Sequence, residues 1–271
     1  IRDRDKTYHF FNPRAGVSYR LGERNSFFFS FAVAQKEPTR GDFTDRYMFT
    51  ADYTYPSSEK LYDWELGYTY TAPRLSLGVN LYYMKYKDQL VPTGMVNDDS
   101  NALNTNVPDS YRRGVELSAS WRATGWFTVG ANATFSQNRI ENYVDALKDS
   151  PTYGKELGDM TIAYSPDVIA NAFLNFHHRG FEAVFHTQHV GKQYFTNNEN
   201  DALSLDAYCV TNLNLAYTFR TRSARSVRLG LLINNLFNAE YESNGYGYSY
   251  MDTWLSLIHI SEPTRRVVIS Y

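Results

Sequence analysis

This sequence has few of the features that mark most enzymes and nucleic-acid-binding proteins. Its single cysteine, Cys209, has no second cysteine for an internal disulfide, and no Cys/His cluster has zinc spacing. The net charge is -2, without a long run of one sign, which argues against a nucleic-acid partner. No nucleophile elbow, zinc-protease motif or phosphate loop occurs, so we expect no enzyme activity, no catalytic residue, no metal and no cofactor.

Long hydrophobic runs are also missing. No segment of about 18 consecutive apolar residues exists, which excludes a transmembrane helix. A transmembrane β-barrel is still compatible with a mean hydropathy of -0.49, because its strands face lipid only at every second residue. The chain opens on the charged segment IRDRDKTYHF instead of a signal peptide, so we expect it to begin inside a longer protein.

Aromatic residues, by contrast, are abundant. The chain has 23 Tyr, 17 Phe and 4 Trp, which together make up 16% of its residues. Tyrosine combines an apolar ring with a hydroxyl that needs water, so it suits boundaries between apolar and polar media. Membrane interfaces and glycan-binding surfaces are two such boundaries.

Several segments alternate with period 2, as β-strands with one apolar face do. In LSLGVNLYYMK (75–85), the leucines, Val79 and Tyr83 fall on one face, and Ser76, Gly78 and Asn80 fall on the other. The segments VELSASW, FTVGANATF and TNLNLAYTF repeat the pattern. Their second face carries small uncharged residues in place of the Lys and Glu expected in bulk water. Such a face suits the hydrated interior of a barrel.

The connections between these segments alternate in length. Short turns at 21–26, 71–74, 123–126, 179–180 and 220–226 alternate with long segments at 37–59, 92–109, 142–167 and 196–206. Short turns at one end and long loops at the other are typical of an outer-membrane barrel. The fold class is therefore predicted to be all-β, an antiparallel transmembrane β-barrel. The expected strands are 8–20, 26–36, 60–71, 75–91, 110–123, 126–141, 168–179, 181–195, 207–220 and 226–241.

Three stretches carry a family resemblance. INNLFNAEY (233–241) resembles the motif that ends the penultimate strand of TonB-dependent outer-membrane receptors. FFNPRAGVSYRL with NSFFFSFAVAQKEPTRGDF, and LGVNLYYMKYKDQLVPTG with NVPDSYRRGVELSASW, are similar to the barrel of such receptors from Bacteroidetes-type bacteria. The resemblance implies that residues 1–254 are the C-terminal portion of this barrel, about 10 to 11 of an expected 22 strands.

The resemblance also implies a function. Such a receptor lies in the bacterial outer membrane among its lipids and captures a scarce solute of the siderophore, corrinoid or glycan class. It imports the solute with energy from the TonB complex, which acts through a plug domain absent from this chain. Two alternatives remain open: a passive porin-like barrel, and a soluble Tyr-rich glycan-binding β-protein.

The stretch LSLIHISEPTR (255–265) differs from everything before it. It resembles the translated arm of a transposase-type sequencing adapter, and Glu262 and Pro263 would interrupt a closing strand. We therefore expect 255–271 to be a non-native tail. The rival interpretation is a genuine final strand, since RRVVISY alternates weakly and ends on an aromatic residue.

Candidate site residues fall into three groups. Residues in the long loops are expected to meet a ligand first, or to serve as aromatic anchors at the membrane rim. Residues on the polar face of one strand are expected to face the lumen and to contact plug or substrate, or to form an interstrand ion pair. His186 and His189 lie three apart on one strand, hence on opposite faces, which favours separate roles over a shared metal. The loop group is Tyr153, Tyr164, Tyr194, Phe195, Asn197, Asn198, Tyr246, Tyr248 and Tyr250; the lumen group is Arg112, Glu116 and Arg122.

Overall fold

The computed structural model of the chain is a large antiparallel sheet. It describes residues 7–44, 56–96, 101–146, 150–220, 225–249, 255–261 and 267–270. Helix is confined in these ranges to the five-residue α1 (Arg40–Thr44) and a 3-10 turn at Asp201–Leu203, and none of it is long and apolar enough to cross a membrane. The strands are β1 (Arg14–Leu21), β2 (Asn25–Lys36), β3 (Glu59–Thr71), β4 (Leu75–Val96), β5 (Ala102–Arg122), β6 (Phe127–Ile140), β7 (Met160–Thr161), β8 (Val168–His178), β9 (Phe181–Val190), β10 (Gln193–Tyr194), β11 (Ser204–Leu205), β12 (Tyr208–Phe219), β13 (Val227–Ile233), β14 (Glu242–Ser249), β15 (Leu255–Ser261) and β16 (Val267–Ser270).

Neighbouring strands in the sheet follow the chain. The order is β1-β2-β3-β4-β5-β6-β8-β9-β12-β13-β16, and each of these pairs is antiparallel. Because direction reverses at each step, the short connections β1–β2, β3–β4, β5–β6, β8–β9 and β12–β13 all lie at one end of the sheet. The long connections lie at the other end, as the sequence predicted, and the eleven strands of this path agree with the expected partial barrel.

The apolar face of the sheet carries two aromatic belts. At the long-loop end, the rings of Phe31, Trp64 and Tyr83 follow one another at centroid distances of 5.2 and 5.7 Å. At the short-turn end, Phe127 and Phe176 stack at 4.5 Å. Between the belts, apolar side chains that a soluble protein would cover remain open: Val17, Leu66, Leu77, Val79, Leu81 and Leu117.

The spacing of the belts fits a membrane. Trp121 near the short turns and Tyr111 near the long loops lie ten residues apart on the apolar side of β5. Ten residues span about 33 Å along a strand, or about 25 Å along the membrane normal at a tilt near 40°. This is the height of the lipid-facing band of outer-membrane barrels, so the face between the belts is suited to lipid contact.

The opposite face of the sheet is polar and carries small side chains. The cross-strand row Gly78, Ser118, Asn132 and Asn171 shows its small uncharged character, and Asn171 donates to Asn132 at 3.2 Å. In a membrane barrel this face lines the lumen.

The prediction of a long loop at 92–109 was wrong. β4 continues to Val96 and β5 begins at Ala102, so most of this segment is a paired hairpin that projects beyond the membrane band. The alternation changes at Asp88, whose φ is 52°, and beyond it Gln89 and Val91 are buried. Local composition rich in Asn, Asp and Pro indicated a loop, but pairing between the two arms supplies the backbone hydrogen bonds that keep it extended.

Several strand ends also differ from expectation. β1 begins at Arg14 and not at residue 8, β9 ends at Val190 and β13 ends at Ile233. Of the short strands, β7 and β11 lie in segments predicted as loops and β10 lies within the predicted strand 181–195, while the eight-residue β14 was not predicted. Backbone strands at 255–261 and 267–270 pair with β14 and β13, a geometry that either origin of this tail would allow.

The segment NLFNAEY forms a turn. The backbone conformation and hydrogen bonds of Asn235 explain why this turn begins with an asparagine. Asn235 is buried and has φ 52°, a conformation that asparagine tolerates better than most residues. Its side chain accepts from Ala239 N at 2.8 Å and donates to Ala239 O at 2.9 Å, while its own N donates to Asn212 Oδ1 at 2.8 Å. The motif thus ends β13 and ties the turn to β12.

Candidate functional site: the loop cap

Two of the long loops fold into a packed body at their end of the sheet, which we call the loop cap: residues 141–146, 150–167 and 191–207 with the ends of β4, β5 and β6. Its first cluster joins Val91, Val107 and Ile140 from the strand ends to Tyr143 and Ile162 from the loop. Each of these side chains is at most 5% exposed. The cluster therefore fixes the loop to the hairpin beneath it.

A second cluster holds the segment 191–207. Phe195, Leu203 and Leu205 are buried together, and Tyr164 of the neighbouring loop packs against them. The Tyr164 hydroxyl donates to Gly245 O at 2.9 Å, so a third connection is joined to the same body. Burial raises the pKa of the Tyr164 hydroxyl, which keeps it a neutral donor.

A carboxylate links the two loops. Glu199 accepts hydrogen bonds from the Thr161 backbone N at 2.9 Å and from the Thr161 hydroxyl, and it forms an ion pair with Arg139 of β6. Burial alone would raise the pKa of Glu199. The bonds from Thr161 and the charge of Arg139 outweigh it, so the pKa lies below its ordinary value. The contacts within the cap therefore stabilise the charged form of Glu199.

Asparagine amides make further cross-links. Asn197 is 1% exposed; its Oδ1 accepts from Ala163 N at 2.7 Å and its Nδ2 donates to Pro92 O at 2.8 Å. Asn198 donates to the buried carboxylate of Asp145 at 3.2 Å. Both amides therefore support the cap from within, because their polar groups are already engaged.

The tyrosines predicted to meet a ligand differ in exposure. Tyr153 is 52% exposed and lies at the surface of the cap. Tyr194 is half-buried, with its hydroxyl 3.3 Å from Asp201 Oδ1 and Lys192 Nζ 5.0 Å from its ring. Tyr164 and Phe195 lie inside the cap, as described above. The side chains of Tyr246 and Tyr248 on β14, and all of Tyr250, lie outside the described residues.

The predicted lumen residues occupy one face of β5. Arg112 donates to Ser165 Oγ at 3.1 Å and to Asn138 Oδ1 at 3.4 Å, which joins the polar face to the loop cap. Glu116 accepts from Asn80 Nδ2 at 3.2 Å further down the strand. Arg122, the last residue of β5, is exposed at the short-turn end. The three residues are spread along the strand and do not form one site.

The histidines do not form a cluster. His186 pairs across the sheet with Phe173 and Asn212, while His189 pairs with Ala170 and Cys209 on the other face. Their opposite orientation agrees with the prediction from their spacing. Among the residues that the structure describes, no three His, Cys, Asp or Glu side chains are placed to hold a metal ion.

No sequence motif identifies the residues that hold the cap together. Arg139 and Glu199 are 60 residues apart, and Asn197 meets Pro92 across 105 residues. Neither contact follows a periodic or local motif. Only the runs of Asn, Asp and Ser in the loops indicated polar cross-linking, and they do not identify the partners.

The chain matches a known family over residues 2–236, described as TonB dependent receptor-like, beta-barrel. Solved structures share the fold at low identity. The ferric yersiniabactin uptake receptor FyuA from Yersinia pestis has a TM-score of 0.66 and 19% identity, with 94% of this chain and 36% of that chain covered. The ferric-catecholate import receptor Fiu from K12 E. coli has a TM-score of 0.63 and 17% identity, with 94% of this chain and 34% of that chain covered. The copper transporter OprC has a TM-score of 0.67 and 18% identity, with 93% of this chain and 38% of that chain covered.

This chain therefore spans little more than a third of the length of the structures that it matches. The family match, however, covers most of the chain itself and includes the ten strands β1 to β6, β8, β9, β12 and β13. The polar inner face, the two aromatic belts and the sorted connections are the physical properties that such a barrel requires. The protein belongs to the TonB-dependent receptors of the bacterial outer membrane and supplies part of their β-barrel.

Proposed function

We propose that this chain forms the wall and part of the outer capture surface of a receptor that imports a scarce solute with TonB-supplied energy. The observation that carries the proposal is the loop cap. Its loops are packed and cross-linked into one body instead of projecting separately, so they present a defined surface above the lumen. Preorganised surfaces of this kind bind a ligand at lower entropic cost than mobile loops do.

Among the solute classes that the resemblance implies, siderophores come first. Two of the similar structures are a ferric yersiniabactin uptake receptor and a ferric-catecholate import receptor, and a third is a copper transporter. The exposed ring of Tyr153 and the exposed side chain of Asn200 suit a ligand that combines aromatic and polar groups. Corrinoids and glycans share these properties and remain the alternative classes.

The partner of the import step would be the TonB complex, reached through a plug domain that is not part of this chain. The barrel wall would contribute Arg112 and Glu116 to the surface that faces the plug. Arg112 also contacts Ser165 of the loop cap, so this one side chain would contact both the lumen and the outer loops.

The test is uptake by the complete receptor in cells that lack their other receptors of this family. Labelled ferric siderophores, a corrinoid and an oligosaccharide are offered separately, with and without a functional TonB complex. We expect saturable uptake of one class, lost when TonB is absent. Uptake that is non-saturable and independent of TonB would support a passive porin instead.

A substitution in the cap sharpens this test. Tyr153→Ala removes an exposed ring from the proposed capture surface, and we expect the half-saturation concentration to rise about tenfold, the effect of losing one good aromatic contact. Tyr19→Ala is the matched control, since Tyr19 is 62% exposed on β1, away from the loop cap. Equal effects of both changes would contradict a role of Tyr153 in capture.

A further inference from the structure

Arginine is concentrated at the short-turn end of the sheet. The five short turns with their flanking strand ends, residues 18–28, 69–78, 118–130, 174–184 and 215–230, contain nine arginines, no lysine and two glutamates. The whole chain has 27 basic and 29 acidic residues, so 18 basic and 27 acidic residues remain elsewhere. One end of the barrel is thus positive, although the chain as a whole is slightly negative.

Four of the five short turns contain an arginine, a set that we call the arginine rim: Arg24, Arg74, Arg179 and Arg225. All four are exposed, whereas Arg122 beside the fifth turn lies on the lumen face of β5. Within the described ranges, none of their side chains has a hydrogen bond or ion pair with another residue. The rim differs in this respect from Arg228, which pairs with Glu182 at 2.7 Å.

The arginine rim lies next to the aromatic belt of the short-turn end. Trp126 stacks on Phe176 at 6.2 Å, and its indole is 48% exposed on the apolar face. Phe176 lies three residues from Arg179 of the rim. Aromatic belts of membrane proteins lie at the level of the lipid headgroups. The guanidinium groups are therefore placed where phosphate groups of the bilayer begin.

The chemistry and spacing of the rim fit phosphate. Guanidinium offers a planar fork of donors that binds phosphate oxygens in pairs, and it is weakly hydrated compared with the lysine ammonium. Successive short turns are two strands apart, about 10 Å across the sheet, so each turn would reach a different headgroup. In the part of the chain that the structure describes, these side chains also have no acidic partner to displace before binding.

We propose that the arginine rim binds the headgroups of anionic phospholipids in the leaflet at the short-turn end of the barrel. The rim would hold the barrel at a fixed depth and enrich anionic lipid around it. This inference is independent of the transported solute, because the rim lies at the opposite end from the loop cap. An acidic protein that docks on the same rim is the competing occupant.

The test uses the complete receptor in vesicles of phosphatidylcholine that contain a minor fraction of phosphatidylglycerol. Spin-labelled lipids report the preference of the protein-bound shell for phosphatidylglycerol over phosphatidylcholine. Charge near a membrane surface is worth roughly a fivefold preference for each arginine. We expect the combined variant Arg24→Gln, Arg74→Gln and Arg179→Gln to lose at least fivefold of this preference, and the matching lysine variant to keep part of it.

A control variant changes the same number of exposed basic residues outside the rim: Arg14→Gln, Lys36→Gln and Lys155→Gln. It should keep the lipid preference. Equal loss in both variants would show only a general charge effect and would overturn the proposal. A wild-type receptor without any preference for anionic lipid would also overturn it, and binding of an acidic periplasmic protein would then identify the other occupant. Heat-modifiability of every variant verifies that the barrels are folded.

Discussion

At the scale of single residues, buried amides and carboxylates define the loop cap more than its tyrosines do. Asn197 uses both ends of its amide, and Glu199 is held charged by Thr161 and Arg139. A buried polar group without a partner is costly, so each of these contacts depends on the others. The residues that shape the capture surface are thus mostly hidden beneath it.

Replacing Asn197 by Ala leaves Ala163 N and Pro92 O without their partner. We expect the cap to lose about 1–3 kcal/mol of local stability, the usual cost of unsatisfied buried groups. Hydrogen exchange at residues 160–165 and 195–203 of the complete receptor measures the effect. Asn200→Ala is the control: Asn200 is exposed in the same loop and accepts a single bond from Ala202 N. Unchanged exchange at Ala163 in the Asn197 variant would contradict the assigned role.

Glu199 makes the cap sensitive to acid. Its pKa in the folded protein lies below the ordinary value of 4.5, so its stabilisation is complete above that pH and is lost as the pH falls through the lower folded pKa. The amide NMR signal of Thr161, which donates to this carboxylate, should move with a midpoint below pH 4.5. Glu199→Gln should abolish the transition, while Glu156→Gln, an exposed residue of the loop that carries Thr161, should preserve it. A midpoint above 4.5 would show that burial dominates.

At the scale of strands and hairpins, the close approach of neighbouring strands limits the size of the side chains that the polar face can accommodate. The glycine at position 114 of β5 pairs with Ser136 of β6, and an added Cβ would lie 2.4 Å from the backbone oxygen of Phe135. Backbone cannot withdraw as a side chain can, so the two strands would have to separate locally. Sequence alternation predicted both strands but could not show how closely they approach here.

Gly114→Ala should therefore destabilise the β5–β6 hairpin by about 1–3 kcal/mol, as overpacking does. Urea unfolding of the complete receptor, followed by the gel shift of the folded barrel, measures the change in midpoint. Gly125→Ala is a matched control because the turn at Gly125 leaves open space for a Cβ. Equal midpoints for the two variants would contradict the close approach at Gly114.

At the scale of the whole molecule, this chain forms an open sheet. β1 pairs only with β2 among the described strands, and all eight of its residues are exposed. Lipid cannot satisfy the hydrogen-bonding groups of an unpaired strand edge, which is why membrane sheets close into barrels. The remaining wall must come from strands outside this chain.

Residues 1–271 alone should accordingly fail to insert as a stable monomer. After refolding into detergent or vesicles, we expect no band that shifts on heating, because the edge at β1 remains unpaired. The complete receptor, treated in the same way, serves as the positive control. A folded, heat-modifiable monomer of this chain would disprove the assignment as part of a larger barrel.

The C-terminal tail differs in origin from the rest of the chain: we propose that residues 255–271 are foreign to the receptor. Long-read sequencing of the source locus tests this directly. We expect the native reading frame to leave this sequence near position 254 and to end in a short strand with an aromatic terminus. A locus that encodes LSLIHISEPTR as written would make β15 and β16 native and would contradict the proposal.

The sequence by itself determined the strands, their two faces and the sorting of short and long connections. These follow from local rules: side chains alternate along a strand, and each strand that spans lipid must show an apolar face to it. Thus β1 to β6, β8, β9, β12 and β13 were predicted with errors at their ends, as at Val96 and Ile233, whereas β14 (Glu242–Ser249) was not predicted.

Only the tertiary structure decided the loop cap and the arginine rim. The pairs Arg139–Glu199 and Asn197–Pro92 join distant segments, and nothing periodic in the sequence relates their members. The arginines of the rim are likewise scattered along the chain and become neighbours only because antiparallel pairing brings every short turn to the same end. Local rules determine how each strand is built, whereas such sites arise from which strand ends the fold brings together.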